Sequence, residues 1–143
     1  MGKSDLKYIT IILDDREPKI YGLDTVDFNS KTYVFEGPID SMFIPNSISA
    51  AGGDLISSLH GYDKSKLVIV FDNEPRSAFT IKKIDKARLL GYSVCIWPDN
   101  IEEKDVNDMV KAGMSPDYIK HVIDNNTYRD LAAKLALSKW GKA

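Results

Sequence analysis

From residue 31 onward the chain alternates between runs of β-branched and aromatic residues and stretches with helical spacing, joined by short polar connections. The runs are Thr32 to Phe35, Ser47 to Ala51, Leu67 to Phe71 and Tyr92 to Trp97, and between them Ile39 to Ile44, Asp54 to Leu59 and Ala78 to Leu90 read as helices. Strand, helix, strand, helix with short links predicts right-handed crossovers and a mainly parallel sheet of about four strands flanked by helices. In Ala78 to Leu90, Ile81, Ile84, Ala87 (or Arg88) and Leu89 recur near helical spacing, and Gly91 supplies the stop. Lys82, Lys83, Lys86 and Arg88 then fall largely on the opposite face, which reads as a solvated surface. Asp105 to Ala112 is a short helix closed by Gly113, and Ser115 and Pro116 start another as N-cap and first-turn residue. Tyr128 to Trp140 closes the chain as an amphipathic helix with Leu131, Leu135 and Leu137 expected toward the core.

Residues 1–30 have a different character. Tyr8 to Leu13 is a β-branched run, Asp14 to Pro18 a polar turn, and Lys19 to Leu23 a short second run, so this part reads as a β-rich extension without a helix. Residues 31–143 are the expected α/β domain with its C-terminal helices. At 143 residues the chain is long enough for one ordinary domain with a proper core and too short for two.

Composition narrows the class of protein. With 43% hydrophobic and 28% charged residues it matches an ordinary globular chain, and no apolar run approaches the ~20 residues that span a bilayer. The polar N-terminus lacks the apolar core of a signal peptide, so the cytoplasm is the default expectation. Cys95 is the only cysteine, which excludes an internal disulfide or a multi-cysteine zinc site and leaves the reading of a small buried hydrophobe. His60 and His121 have no partners at metal-ligand spacing. A net charge of −2 argues against a free-standing nucleic-acid binder, because cationic side chains supply most non-specific affinity for phosphate.

The candidate chemistry lies where strands end. Glu36-Gly37 follows the run Thr32 to Phe35, and Asp72-Asn73-Glu74 follows Leu67 to Phe71, which puts carboxylates at the edge where open parallel sheets bind ligands. Asp72 and Glu74 are two apart, so at an extended strand end both side chains would point the same way and share one cation. Mg²⁺, or Mn²⁺ in its place, needs only one or two protein carboxylates beside substrate phosphates. Glu36 on a neighbouring strand would be the third acid. Gly37 would let backbone approach closely and Pro38 would set the exit direction. Gly52-Gly53 is either a plain turn or a phosphate-binding turn before the helix near Asp54. Arg76 either clamps phosphate or pairs with Glu74 or Asp72. In Lys104-Asp105-Val106-Asn107-Asp108, Asp105 reads as an N-cap, while Asp105 or Asp108 is also placed to reach the acids, with Lys104 facing phosphate.

These residues resemble the TOPRIM domain shared by DnaG-type primases, topoisomerases and some nucleases. Val34-Phe35-Glu36-Gly37-Pro38-Ile39-Asp40-Ser41 is similar to its glutamate motif, and Val70-Phe71-Asp72-Asn73-Glu74-Pro75-Arg76 to its paired-acid motif in the form found in bacteriophage primases. Lys104 to Asp108 is similar to the later Lys-Asp segment of primases, and Lys19 to Leu23 to the end of the subdomain that precedes TOPRIM. The second acid is Glu74 where most of the family has Asp. The resemblance implies a Rossmann-like fold and a nucleotidyltransferase that makes short RNA primers on single-stranded DNA from ribonucleoside triphosphates. Asp72 and Glu74 would be metal ligands, Glu36 a ligand or general acid/base, and Gly37, Gly52, Gly53, Arg76 and Lys104 would contact phosphate or nucleotide. Primases also carry a zinc module and a basic subdomain that this sequence does not contain, so the expectation is a catalytic fragment, inert or nearly so by itself. Its partners would be those upstream domains and a replicative helicase. A metal-dependent nuclease and a non-catalytic module holding Mg²⁺ and nucleotide are the alternatives.

Overall fold

Tyr33 and Phe35 point to one side of their strand and Val34 to the other, and all three are buried, so this strand needs a covering layer on each face. The computed structural model describes residues 19–23, 26–51, 56, 59 and 61–141. Among these residues the chain forms β1 (Lys19–Tyr21), β2 (Thr32–Phe35), α1 (Pro38–Ser41), β3 (Ser47–Ala51), β4 (Leu67–Val70), α2 (Ala78–Leu89) and β5 (Ser93–Cys95). It continues with α3 (Val106–Lys111), α4 (Pro116–Asn125), β6 (Thr127–Tyr128) and α5 (Asp130–Trp140). The six described strands make one sheet in the order β1-β3-β2-β4-β5-β6. The four central strands are parallel, as expected, and β1 and β6 pair antiparallel at the two edges.

On one face Val34, Ile48, Ile69 and Val94 pack with Ile84 and Ala87 of α2 and with Ala133, Leu137 and Trp140 of α5. On the other, Tyr33, Phe35, Val68, Val70 and Cys95 meet Met109 of α3 and Ile119, Val122 and Ile123 of α4. Each Val, Ile, Leu, Phe or Met side chain among them contributes roughly 1.5–3 kcal/mol when fully buried, so the alternation in the strands supplies most of the drive for three layers. Burial also pushes the Cys95 thiol far up, which keeps it a protonated packing residue.

Chain order sets the position of any ligand site. From β2 the chain moves to β3 on one side, then returns across β2 to β4 on the other. The carboxyl ends of β2 and β4 therefore flank the point where strand order reverses, where open α/β sheets bind ligands.

Several expectations need correction. Leu131 and Leu135 are 67% and 58% exposed, because α5 buries the stripe Ala133, Leu137, Trp140, which lies around the helix from them. Leu89 of α2 is likewise exposed, and the buried residues of that helix are Thr80, Ile84 and Ala87. Tyr128 belongs to β6, and the last helix begins at Asp130, after Arg129 adopts extended dihedrals. The N-caps are as expected: Ser115 Oγ accepts from Tyr118 N–H, with Pro116 in the first turn, and Asp105 caps α3. Tyr8 to Leu13, the turn before β1, Gly52, Gly53 and His60 lie outside the described residues. Within the stretch read as Asp54 to Leu59, Ile56 and Leu59 are buried in the core of the α2 face. None of the described helices is long and apolar enough to cross a membrane.

Candidate metal centre

Glu36 is the first residue past β2, and Gly37 caps α1 with Pro38 in its first turn. This single helical turn swings Asp40 back toward the strand ends, where it is 8% exposed and its Oδ1 accepts the Asn107 N–H at 2.9 Å. Gly37 has an ordinary φ of −105°, so its value here is space: a Cβ would stand 3.3 Å from Asp40 Oδ2.

Phe71 leads out of β4, and its carbonyl accepts the Trp97 indole N–H at 2.9 Å. Asp72 follows. The chain then bends, with Glu74 N–H donating to Asp72 O at 3.0 Å and Asn73 N–H donating to Lys104 O. The Asn73 side chain donates to Ile101 O at 2.9 Å and Glu103 O at 3.1 Å. Asn73 thereby fastens the segment that delivers Asp105, whose Oδ1 caps α3 by accepting the Asp108 N–H at 2.8 Å. One carboxylate oxygen each from Asp40, Asp72 and Asp105 lies within 4.8 Å of the others.

Burial and, after it, crowding of like charge show in the protonation equilibria. Burial, then the charges of Glu36, Asp40, Asp105 and Glu74, push the Asp72 carboxyl up to about 7. Burial also raises Asp40; the Asn107 N–H works against that shift, and Asp105, Asp108 and Glu36 add to it. An all-oxygen cluster with excess negative charge has the donor chemistry of a site for a hard divalent cation.

The residues singled out from sequence occupy distinct positions around this cluster. Asp72 is in it, and Asp105 both caps α3 and joins it. Glu36 lies beside it, in a half-buried ion pair with Lys83 of α2. Glu74 is held by partners of its own: Oε1 accepts from Thr80 Oγ1 at 2.9 Å and Oε2 lies 3.7 Å from Lys104 Nζ. Because the chain bends between them, Asp72 and Glu74 do not continue as an extended strand end. Asp108 adds charge near Asp40 without entering the trio. Arg76 is exposed and, among the described residues, pairs with neither Glu74 nor Asp72.

Asp40 and Lys83 were missed as site residues. The signal for Asp40 was its spacing: four positions past Glu36, across a Gly-Pro start, is one helical turn. Nothing local marked Lys83, whose partner is 47 residues away.

No protein-family model matches the chain. Over 138 residues it is 43% identical to the DNA primase of Enterobacteria phage T4, an alignment that includes 95% of this chain and 40% of that protein. The stretch from Glu36 to Asp108, which contains every described acid of the site, cannot fall wholly outside an alignment of that extent. The chain is thus related along nearly its whole length to a phage DNA primase, and it spans well under half of that primase.

Proposed function

We propose that this chain is the metal-dependent TOPRIM catalytic unit of a phage-type DNA primase, joining ribonucleotides into short primers on single-stranded DNA. The observation that carries the proposal is the meeting of Asp40, Asp72 and Asp105 at the point where strand order reverses. Carboxylate oxygens alone suit Mg²⁺ or Mn²⁺, and a cation would offset both the burial and the neighbouring charges that raise Asp72. Asp40, Asp72 and Asp105 would hold the ion, with Glu36 and Glu74 alongside. When bound, such an ion polarises a phosphoryl oxygen and stabilises charge on a leaving pyrophosphate.

The chain's own residues do the rest by position and charge. Lys104, 58% exposed beside Glu74, and the exposed Arg76 are suited to triphosphate oxygens. Asn73 holds the 101–104 segment so that Asp105 stays opposite Asp72. Glu36, steadied by Lys83, is suited either to bind the ion or to take the proton of an attacking 3′-hydroxyl. That hydroxyl attacks the α-phosphate and pyrophosphate leaves, with no protein nucleophile required.

Calorimetric titration with Mn²⁺ tests the metal, and primer synthesis and nicking assayed on one preparation test the reaction. Weak Mn²⁺ binding that is lost in a folded Asp72→Asn variant is expected, and binding unchanged in that variant would overturn the assignment. Nicking without primer synthesis would replace the primase reading with that of a nuclease, in which water takes the place of the hydroxyl.

A further inference from the structure

Phe79, in the first turn of α2, is 70% exposed. Single apolar side chains on a surface are ordinary, and what distinguishes this one is its surroundings. The Lys83 ammonium lies 4.7 Å from the centre of the Phe79 ring, 5.6 Å from that of Phe71, and in contact with the Glu36 carboxylate. One ammonium thus touches an exposed aromatic ring and an acid of the metal centre. Lys82 and Lys83, three and four positions after Phe79, share its side of the helix, and Arg76 precedes it by three. Both Arg76 and Lys82 are exposed.

An exposed ring among cations beside a phosphate-handling centre is the arrangement by which proteins hold unpaired nucleotides. The ring stacks on a base of any sequence, and the cations take the phosphate. Resting on the function proposed above, we propose that Phe79 is a stacking platform for a nucleobase, with Lys82 and Lys83 on the adjoining phosphate. The same chemistry is offered by a free ribonucleoside triphosphate and by a nucleotide of a single strand.

The test uses the 143-residue chain and its Phe79→Ala and Phe79→Tyr variants, titrated with Mg·ATP and, separately, with tetrathymidylate. Nuclear magnetic resonance suits it, because weak binding remains readable. Upfield shifts of the Phe79 ring protons are expected with at least one ligand. Phe79→Ala should weaken that ligand roughly tenfold or more, while Phe79→Tyr should bind nearly as the parent does. Weakening confined to Mg·ATP assigns the platform to a free nucleotide, weakening confined to tetrathymidylate assigns it to a strand, and weakening of both supports base stacking from either source. Phe79→Ala binding both ligands as the parent does, or no binding of either by the parent, would overturn the proposal. Mn²⁺ broadening of resonances from Asp40, Asp72 and Asp105 is read on the same samples. Retained broadening in Phe79→Ala with unchanged ligand affinity would sink the platform and spare the metal centre, whereas its absence from the parent would sink the reading beneath it.

Discussion

The indole N–H of Trp140 donates to Asn73 Oδ1 at 3.1 Å, joining the end of the last helix to the residue between Asp72 and Glu74. The amide of Asn73 is committed on its other side to Ile101 O and Glu103 O, so one side chain connects the bend after β4, the segment before α3, and α5. Asn73→Ala would leave these partners unsatisfied. It should cost about 1–3 kcal/mol of stability and weaken Mn²⁺ binding although every acid remains. Trp140→Phe keeps most of the packing and should cost less, about 1 kcal/mol. Denaturant melts and Mn²⁺ titration of both variants check the order.

Asp72 carries a pH dependence with a definite sign. Its folded carboxyl titrates at about 7, above the ordinary 3.8, so the folded state binds the proton more tightly than the unfolded state. Its contribution to stability is therefore fully present below about 4 and is lost as pH rises through about 7. In chelator, the stability of Asp72→Asn relative to the parent should climb from pH 4 to pH 8. Over the same range the parent's affinity for Mn²⁺ should rise, since the ion must displace that proton. A flat difference between variant and parent would show that Asp72 titrates normally.

Glu36 and Lys83 should respond unequally to loss of charge. Glu36→Gln removes the largest single charge acting on Asp72 while breaking the ion pair, so the two effects oppose and the melting temperature should stay equal or rise. Lys83→Gln leaves Glu36 uncompensated beside Asp72 and should be the more destabilising change, by about 1 kcal/mol. Thermal melts in chelator at pH 8 compare them, and the reverse order would refute this account of the pair.

Gly37→Ala separates fold from site. With φ at −105° the backbone accepts alanine, but the new methyl would press on Asp40 Oδ2 at 3.3 Å. The variant should fold with nearly parental stability and bind Mn²⁺ several-fold more weakly. Parental affinity would show that the Asp40 carboxylate can give way or that it is not a ligand.

What was legible in the sequence was local. β2, β4 and α2 were marked by periodicity, and the starts of α3 and α4 by Asp105, Ser115 and Pro116, because alternation and capping involve residues no more than about four positions apart. Those signals also put Glu36 and Asp72 at the ends of neighbouring strands. They did not distinguish the two sides of α5, where leucines and small residues recur at the same spacing, and so Leu131 and Leu135 were assigned to the core although Ala133 and Trp140 occupy it. The membership of the acidic trio was likewise beyond local pattern. Asp40, Asp72 and Asp105 meet only because β2 and β4 lie side by side and Asn73 fastens the 101–104 segment against them. The approach of Lys83 to Glu36 depends in the same way on how α2 packs over the sheet, a consequence of burying Ile84 and Ala87 that no spacing around either charged residue encodes.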